Sequence, residues 1–370
     1  MVSRPQAGID PIDPVDPVVR LASPDVGEAE LAEIREVLAS GQLTMGLKVV
    51  EFEALLARAA GVEHAVAVSS GTAALHLAVL ALGLGPGDEV LVPAYTFPAT
   101  ANVVALCGAT PVLVDVDPVT MNMDPADAAK RVTGRTKAVL AVHLFGRPAP
   151  LESYPDLPLI EDAAGALGAM RGGRPCGSLG VVGCFSFHPR KIVTTGEGGA
   201  LSTNDAALAE TLRSLRHHGW SPSDAYADLP RPAFNYRLSD VLCALGIPQL
   251  RRLPGLHAGY ERIAAGYADR LGGLDVVLPS TDPGDVHGWQ AYVIQVDRRD
   301  EVMAGLRAQG IQCQIGTYAL PRLGAYRDQG SFPGADAAFE RALALPLHPR
   351  LSDGELDRVA AALDKLVSHH

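Results

Sequence analysis

The chain has 370 residues, 48% of them hydrophobic and 20% charged, a composition that excludes a disordered polar chain and leaves room for one large domain with a smaller partner. Its net charge of −11 and its scattered 31 Lys and Arg residues exclude an extended nucleic-acid footprint, so a phosphate-bearing ligand would have to be met locally. No run of about 18 uncharged apolar residues occurs, and the N-terminus lacks the apolar core of a secretion signal, so a cytoplasmic protein is expected, with no membrane partner.

Repeated Asp-Pro steps in the first 17 residues resist helix formation and predict an extended arm, taken as residues 1–23. Residues 28 to 40 place Leu31, Ile34 and Leu38 at helical spacing before Gly41, and a second helix is expected from Val49 to Ala60. Strands and helices then alternate: AVAVSS, EVLVP, TPVLVDV, KAVLAV and LPLIED read as strands. TAALHLAVLALG and ATANVVALCG read as helices between them. Such alternation predicts an α/β fold with a mainly parallel sheet covered on both faces, which binds ligands beyond the carboxyl ends of its strands. Helices are expected over 255–271, 300–309 and 352–367, with AYVIQV a strand among them. The expected division is a large domain over 24–250 and a small C-terminal domain over 251–370. The five cysteines are widely spaced with no C-x-x-C pair, so free thiols are expected and no metal site.

Four segments carry groups suited to chemistry. In Ser69-Ser70-Gly71-Thr72-Ala73-Ala74, free backbone N–H groups at a helix start favour an anion such as phosphate, and Thr72 adds a hydroxyl; an ordinary N-cap has the same pattern. Ile160-Glu161-Asp162 ends an apolar strand with two carboxylates. An acid there needs a partner against desolvation, which a protonated pyridine nitrogen supplies, or it caps the next helix. In Phe185-Ser186-Phe187-His188-Pro189-Arg190-Lys191, the serine and lysine flank a proline bend, and a glycine turn and the strand ALST follow. The apolar neighbours of Lys191 favour the lowered pKa that imine chemistry requires, and Ser186 can meet a phosphate. Phe234-Asn235-Tyr236-Arg237 closes an irregular stretch and opens a helix, where Asn235 and Arg237 can donate to phosphate or simply start the helix.

Taken in order, SSGTAALHLA, PAYTFPATAN, TPVLVDVDP, VHLFG, IEDAAGALGA, FSFHPRKIVTTGEGGALST, LRHHG, FNYRLSDVLCALGIPQL and ALPLHP resemble the sugar-nucleotide aminotransferases, the DegT-type branch of the fold-type-I enzymes that use pyridoxal 5'-phosphate (PLP). The resemblance spans residues 24 to 367 and implies a Schiff base between Lys191 and PLP, with Lys191 then shuttling protons. It further implies Asp162 on the pyridine nitrogen, Phe97 stacked on the ring, and Thr72, Ala73 and Ser186 at the phosphate. Asn235 would reach the phosphate of the neighbouring subunit's cofactor, making a homodimer with shared sites, and Tyr318 and Arg237 are the expected substrate contacts. The implied reaction takes nitrogen from an amino acid, expected to be L-glutamate, through the pyridoxamine phosphate (PMP) form to a nucleotide-linked keto-sugar. The alternatives are sugar dehydration by the same family, whose members carry His where this chain has Lys191, and a non-catalytic PLP-binding regulator.

The sequence departs from the family pattern in three places. Gly165 stands where a polar side chain near the ring is usual, the stretch between Gly146 and Pro158 is short, and IGTYALPRLGAY lacks the usual His-Tyr pair. The short stretch predicts a crossover helix reduced to PLESYPD.

Overall fold

The computed structural model describes residues 18–221, 228–327 and 329–368; most of the predicted N-terminal arm, residues 1–17, lies outside the described residues. The apolar runs form a seven-stranded sheet in the order His64–Val68, Gly199–Thr203, Val182–Ser186, Leu159–Asp162, Thr136–Val142, Glu89–Pro93 and Thr110–Val114. Only Gly199–Thr203 runs against its neighbours, and the remaining pairings are parallel. The central strands are buried along nearly their whole length, as a sheet covered on both faces requires. The crossover between Thr136–Val142 and Leu159–Asp162 contains two 3₁₀ turns, Leu144–Gly146 and Leu151–Ser153, and no α-helix.

A second, three-stranded antiparallel sheet comprises Tyr292–Gln295, Ala342–Leu345 and Gln314–Ile315. Beside it lie helices Leu253–Leu271, Arg299–Ala308 and Asp353–Val367, whose inner residues belong to the same apolar core as Tyr292, Ile294 and Leu343. A short ribbon pairs Tyr318–Ala319 with Tyr95–Thr96 and so carries Tyr318 to the segment that follows the carboxyl end of Glu89–Pro93. No helix among the described residues is long and apolar enough to cross a membrane.

Helix Glu28–Ser40 has the predicted limits, and its inward side is not the one carrying Leu31 and Leu38: Glu30 and Val37 are buried, whereas Leu31 and Leu38 are exposed. Leu43, Met45, Leu47 and Val50 are exposed beside them in sequence, and Leu47 and Val50 open the helix Leu47–Ala60. Asp240 closes this region by accepting the Gly46 and Lys48 N–H groups at 2.8 and 3.0 Å.

Candidate active site

A cavity of about 480 Å³ opens at the carboxyl ends of the parallel strands and is bounded on its other side by Gln290, Gln314 and Tyr318. This is where a parallel α/β sheet leaves a crevice. Thr72, Phe97, Asp162, Ser186, Lys191 and Tyr318 all line it, brought from well-separated parts of the chain. Ala73, Asn235 and Arg237 do not.

Strand alternation separates the two carboxylates of Glu161-Asp162 onto opposite faces. Glu161 points away from the lysine and is saturated: Gly177, Leu179 and Gly180 donate their N–H groups at 2.6 Å, and His143 Nε2 lies at 2.9 Å. Burial would raise the pKa of Glu161, but these donors and His143 hold it below the ordinary range. The Ala149 N–H donates to Nδ1 of His143 at 2.9 Å, which fixes the neutral ring with its proton on Nε2. Asp162, in contrast, accepts among the described residues only the Thr100 hydroxyl at 3.0 Å and the Ala164 N–H at 3.2 Å. Burial raises its pKa, against the pull of those donors and of Lys191. The segment after Asp162 is a series of turns rather than a helix, so Asp162 caps no helix and retains capacity for another cationic or N–H donor.

Lys191 stands on a loop tied down from both sides. The Phe187 N–H donates to the Gly198 carbonyl at 2.8 Å, and the Thr195 N–H returns to the Phe187 carbonyl at 3.0 Å. Gln249 clamps the backbone of Thr194 through both its carbonyl and its amide. These bonds explain the Thr-Thr-Gly-Glu-Gly run: it builds a rigid turn beneath the lysine. Burial lowers the pKa of Lys191 to about 8, with Asp162 opposing and Arg190 adding to the shift. The free-amine nucleophile is therefore accessible near neutral pH.

Helix Gly71–Ala81 starts beside Ser186. Ser70 caps it by accepting the Ala73 N–H at 3.1 Å, so the Ala73 N–H is already committed. The N–H groups of Gly71 and Thr72 have no acceptor among the described residues. A Cβ on Gly71 would come 2.8 Å from Cβ of Ser186, so only glycine lets this serine approach the helix start. Two open N–H groups, two hydroxyls and a positive helix end together suit a phosphate.

Phe97 and Tyr318 form the mouth, their rings edge to face at 6.4 Å, and 62% and 40% of their surface is exposed. The segment Phe234–Arg237 does not open a helix. It binds the end of the first strand through Ser69 N–H to the Tyr236 carbonyl at 2.8 Å, and the helix begins at Asp240, capped by Ser239. Asn235 is exposed, and Arg237 pairs with Nδ1 of His217.

Several lining groups were not singled out from sequence. Gln290 is one: its side chain lies 3.2 to 3.3 Å from where a Cβ on Gly165 would stand. The space freed by the missing family side chain is thus filled by an amide from the far side of the cavity. His143 and Arg190 are others, and Thr100 supports the site without lining the cavity, through its bond to Asp162; all three lie within quoted motifs.

Residues 24–364 match the sequence profile of the DegT/DnrJ/EryC1/StrS aminotransferase family. The chain belongs to this family. The aminotransferase is 40% identical over 339 residues to the GDP-perosamine synthase of Caulobacter vibrioides, covering 88% of this chain and 91% of that one. Its fold superposes on the aminotransferase TlmJ of Streptoalloteichus hindustanus with a TM-score of 0.91 at 36% identity, covering 95% of this chain and 99% of the other. Spr1654 of Streptococcus pneumoniae, assigned as a sugar aminotransferase and solved in a PLP form, superposes with a TM-score of 0.90 at 29% identity, covering 95% and 99%. The fold is therefore that of the PLP aminotransferases, as the sequence predicts.

Proposed function

We propose that this PLP-dependent aminotransferase moves an amino group from an L-amino acid, L-glutamate in the first instance, to the keto carbon of a nucleotide-linked sugar in amino-deoxysugar biosynthesis. The observation that carries the reading is the cavity itself, which combines an amine of lowered pKa, an under-bonded buried carboxylate and an anion cradle. The GDP-perosamine synthase similarity supports a nucleotide-linked sugar as the acceptor.

When bound, PLP supplies an aldehyde that condenses with amines and a ring that withdraws electrons from the adjoining carbon. In this reading Nζ of Lys191 would hold the cofactor and, once freed by the donor's amine, would take the proton from the donor's α-carbon and deliver it to the cofactor's former aldehyde carbon, the reverse of this transfer then serving the keto carbon of the acceptor. The Asp162 carboxylate holds the proton on the ring nitrogen, oriented by Thr100 and the Ala164 N–H. Gly71, Thr72 and Ser186 bind the phosphate, Phe97 covers the ring, and Tyr318 touches the acceptor. Lys191 in place of a histidine favours amino transfer over dehydration, and an intact lysine and aspartate favour an enzyme over a regulator.

A homodimer with shared sites completes this proposal, Asn235 serving the partner's phosphate. Exposed Asn235 and the apolar surface of Leu31, Leu38, Leu47 and Val50 support it. Mixing Lys191→Ala chains with Asn235→Asp chains should then recover activity toward about a quarter of wild type, from half the sites in half the dimers under two-fold pairing. Heterodimers without recovery exclude the sharing. The function itself is tested by incubating the enzyme and glutamate with a panel of GDP-, dTDP- and UDP-linked keto-sugars and reading product mass. A gain of one amino group in place of the keto oxygen supports transfer; loss of water with no nitrogen gained supports dehydration.

A further inference from the structure

The cavity carries a second cation that no acid among the described residues answers. Arg190 lines it next to Lys191. Nη1 of Arg190 donates to Oε1 of the neutral Gln314 at 2.9 Å, while its Nε is buried with no partner among the described residues. Other inward-lying arginines have carboxylates: Arg147 meets Asp282, Arg171 meets Asp285 and Arg216 meets Glu53. Burial alone shifts the pKa of Arg190, downward, with no acidic neighbour contributing. A desolvated guanidinium without a counter-ion is costly, and a cavity that retains one is arranged for an anionic ligand.

The position of Arg190 limits which anion that is. The phosphate cradle lies at the start of helix Gly71–Ala81, against Ser186. Arg190 faces instead toward the small sheet: Gln314 holds its fork, and the side chain of Gln290 lies 3.5 Å from its carbonyl oxygen. Its charge is felt at Lys191, so the anion it receives sits close to the atom where nitrogen is exchanged. A donor's α-carboxylate is attached to the very carbon that bears the transferred nitrogen. The diphosphate of a nucleotide-linked acceptor is separated from its keto carbon by the sugar ring.

We propose that the guanidinium of Arg190, oriented by Gln314, receives the α-carboxylate of the amino-acid donor. The proposal rests on the amino-transfer reading above. A bidentate guanidinium–carboxylate contact also explains why a planar fork occupies a place where a second lysine would supply only a point charge.

The test compares wild type with Arg190→Gln and Arg190→Lys as cofactor-loaded enzymes, using L-glutamate and 4-aminobutyrate, which is glutamate without its α-carboxylate. Losing a charge-assisted hydrogen bond corresponds to about 10- to 100-fold in affinity. Arg190→Gln should raise the glutamate KM by that factor and erase the preference for glutamate over 4-aminobutyrate, leaving the keto-sugar KM within about twofold. Arg190→Lys should fall between the two. Calorimetric titration with 2-oxoglutarate, which needs no turnover, should show the same loss of affinity. An unchanged glutamate KM and preference with a raised keto-sugar KM would overturn the proposal in favour of the diphosphate. Unchanged values throughout would overturn it outright. If Arg190→Gln does not fold, Arg190→Lys must still show reduced preference and weaker 2-oxoglutarate binding; wild-type values in that variant overturn the proposal. Wild type that takes nitrogen from no L-amino acid defeats the amino-transfer reading itself, which is a separate outcome.

Discussion

Asp162→Asn exchanges an anion for an amide of the same shape. The present donors are Thr100 and Ala164 at 3.0 and 3.2 Å. An asparagine oxygen can keep the Ala164 N–H, and the Thr100 hydroxyl can turn toward Thr96, 3.1 Å away. The structural cost is then that of about one exchanged neutral hydrogen bond, on the order of 1 kcal/mol, so the fold survives. Loss of charge weighs more. Removing one partner of a buried ion pair costs about 3–5 kcal/mol, and at about 1.4 kcal/mol per decade that becomes roughly two to four decades in rate. The assay is a single-turnover half reaction with glutamate, followed by cofactor absorbance, beside equilibrium binding of PLP. Binding should weaken by no more than about tenfold while the rate falls at least about 100-fold. A mutant rate within about threefold of wild type would refute the reasoning and leave Asp162 as a residue that only closes the turn at Ala164.

Two further predictions concern Lys191 and the phosphate cradle. Capture of PLP by the cofactor-free protein needs a neutral amine, and the pKa of Lys191 is lowered by burial to about 8. Capture should therefore accelerate as pH rises through about 8 and level off above it, and the midpoint should fall further in Asp162→Asn, where the carboxylate no longer favours the ammonium form. Stopped-flow absorbance checks this, and a midpoint near that of a solvated lysine contradicts it. Gly71→Ala places a methyl 2.8 Å from Cβ of Ser186 and should push the serine from the helix start. Equilibrium dialysis should then show PLP affinity reduced by about tenfold or more with pyridoxal affinity little changed; equal losses for the two ligands would contradict a phosphate site there.

The fold was legible where burial leaves its mark on sequence. Parallel strands shielded on both faces read as apolar runs, so Glu89–Pro93 and Thr136–Val142 announce themselves. Helix Pro125–Arg131 is short and polar, with one buried residue, Ala128, and so leaves no apolar period in the sequence. The ribbon that carries Tyr318 to the mouth is set by pairing with Tyr95–Thr96 across more than 200 residues, and two-residue strands have no period to read. Helical spacing of Leu31, Ile34 and Leu38 identified the helix but not its inward side. Apolar residues there face away from the chain's own core, which periodicity alone cannot distinguish.

The site followed a similar division. Asp162 and Ser186 sit at strand ends and Lys191 on the loop that follows, all within recognisable motifs, and the fold brings them to one cavity. Glu161 and Asp162 could be separated only by direction: one is saturated by backbone N–H groups while the other faces the lysine. Gln290 lies in an unremarkable stretch and reaches the site because Gly165 leaves room for it. Arg190 was visible as a residue, but what marks it is the lack of a carboxylate partner, which depends on the surrounding chain rather than on its neighbours in sequence.

The central claim is that Lys191 carries the cofactor. Its most direct test is borohydride reduction of the PLP-loaded enzyme, followed by proteolysis and mass mapping of the labelled peptide. The account predicts one phosphopyridoxyl group per chain, on the peptide containing Phe185 to Lys191 and at Nζ of Lys191, with no such label in Lys191→Ala. Label on a different lysine, or undiminished labelling of Lys191→Ala, would contradict it.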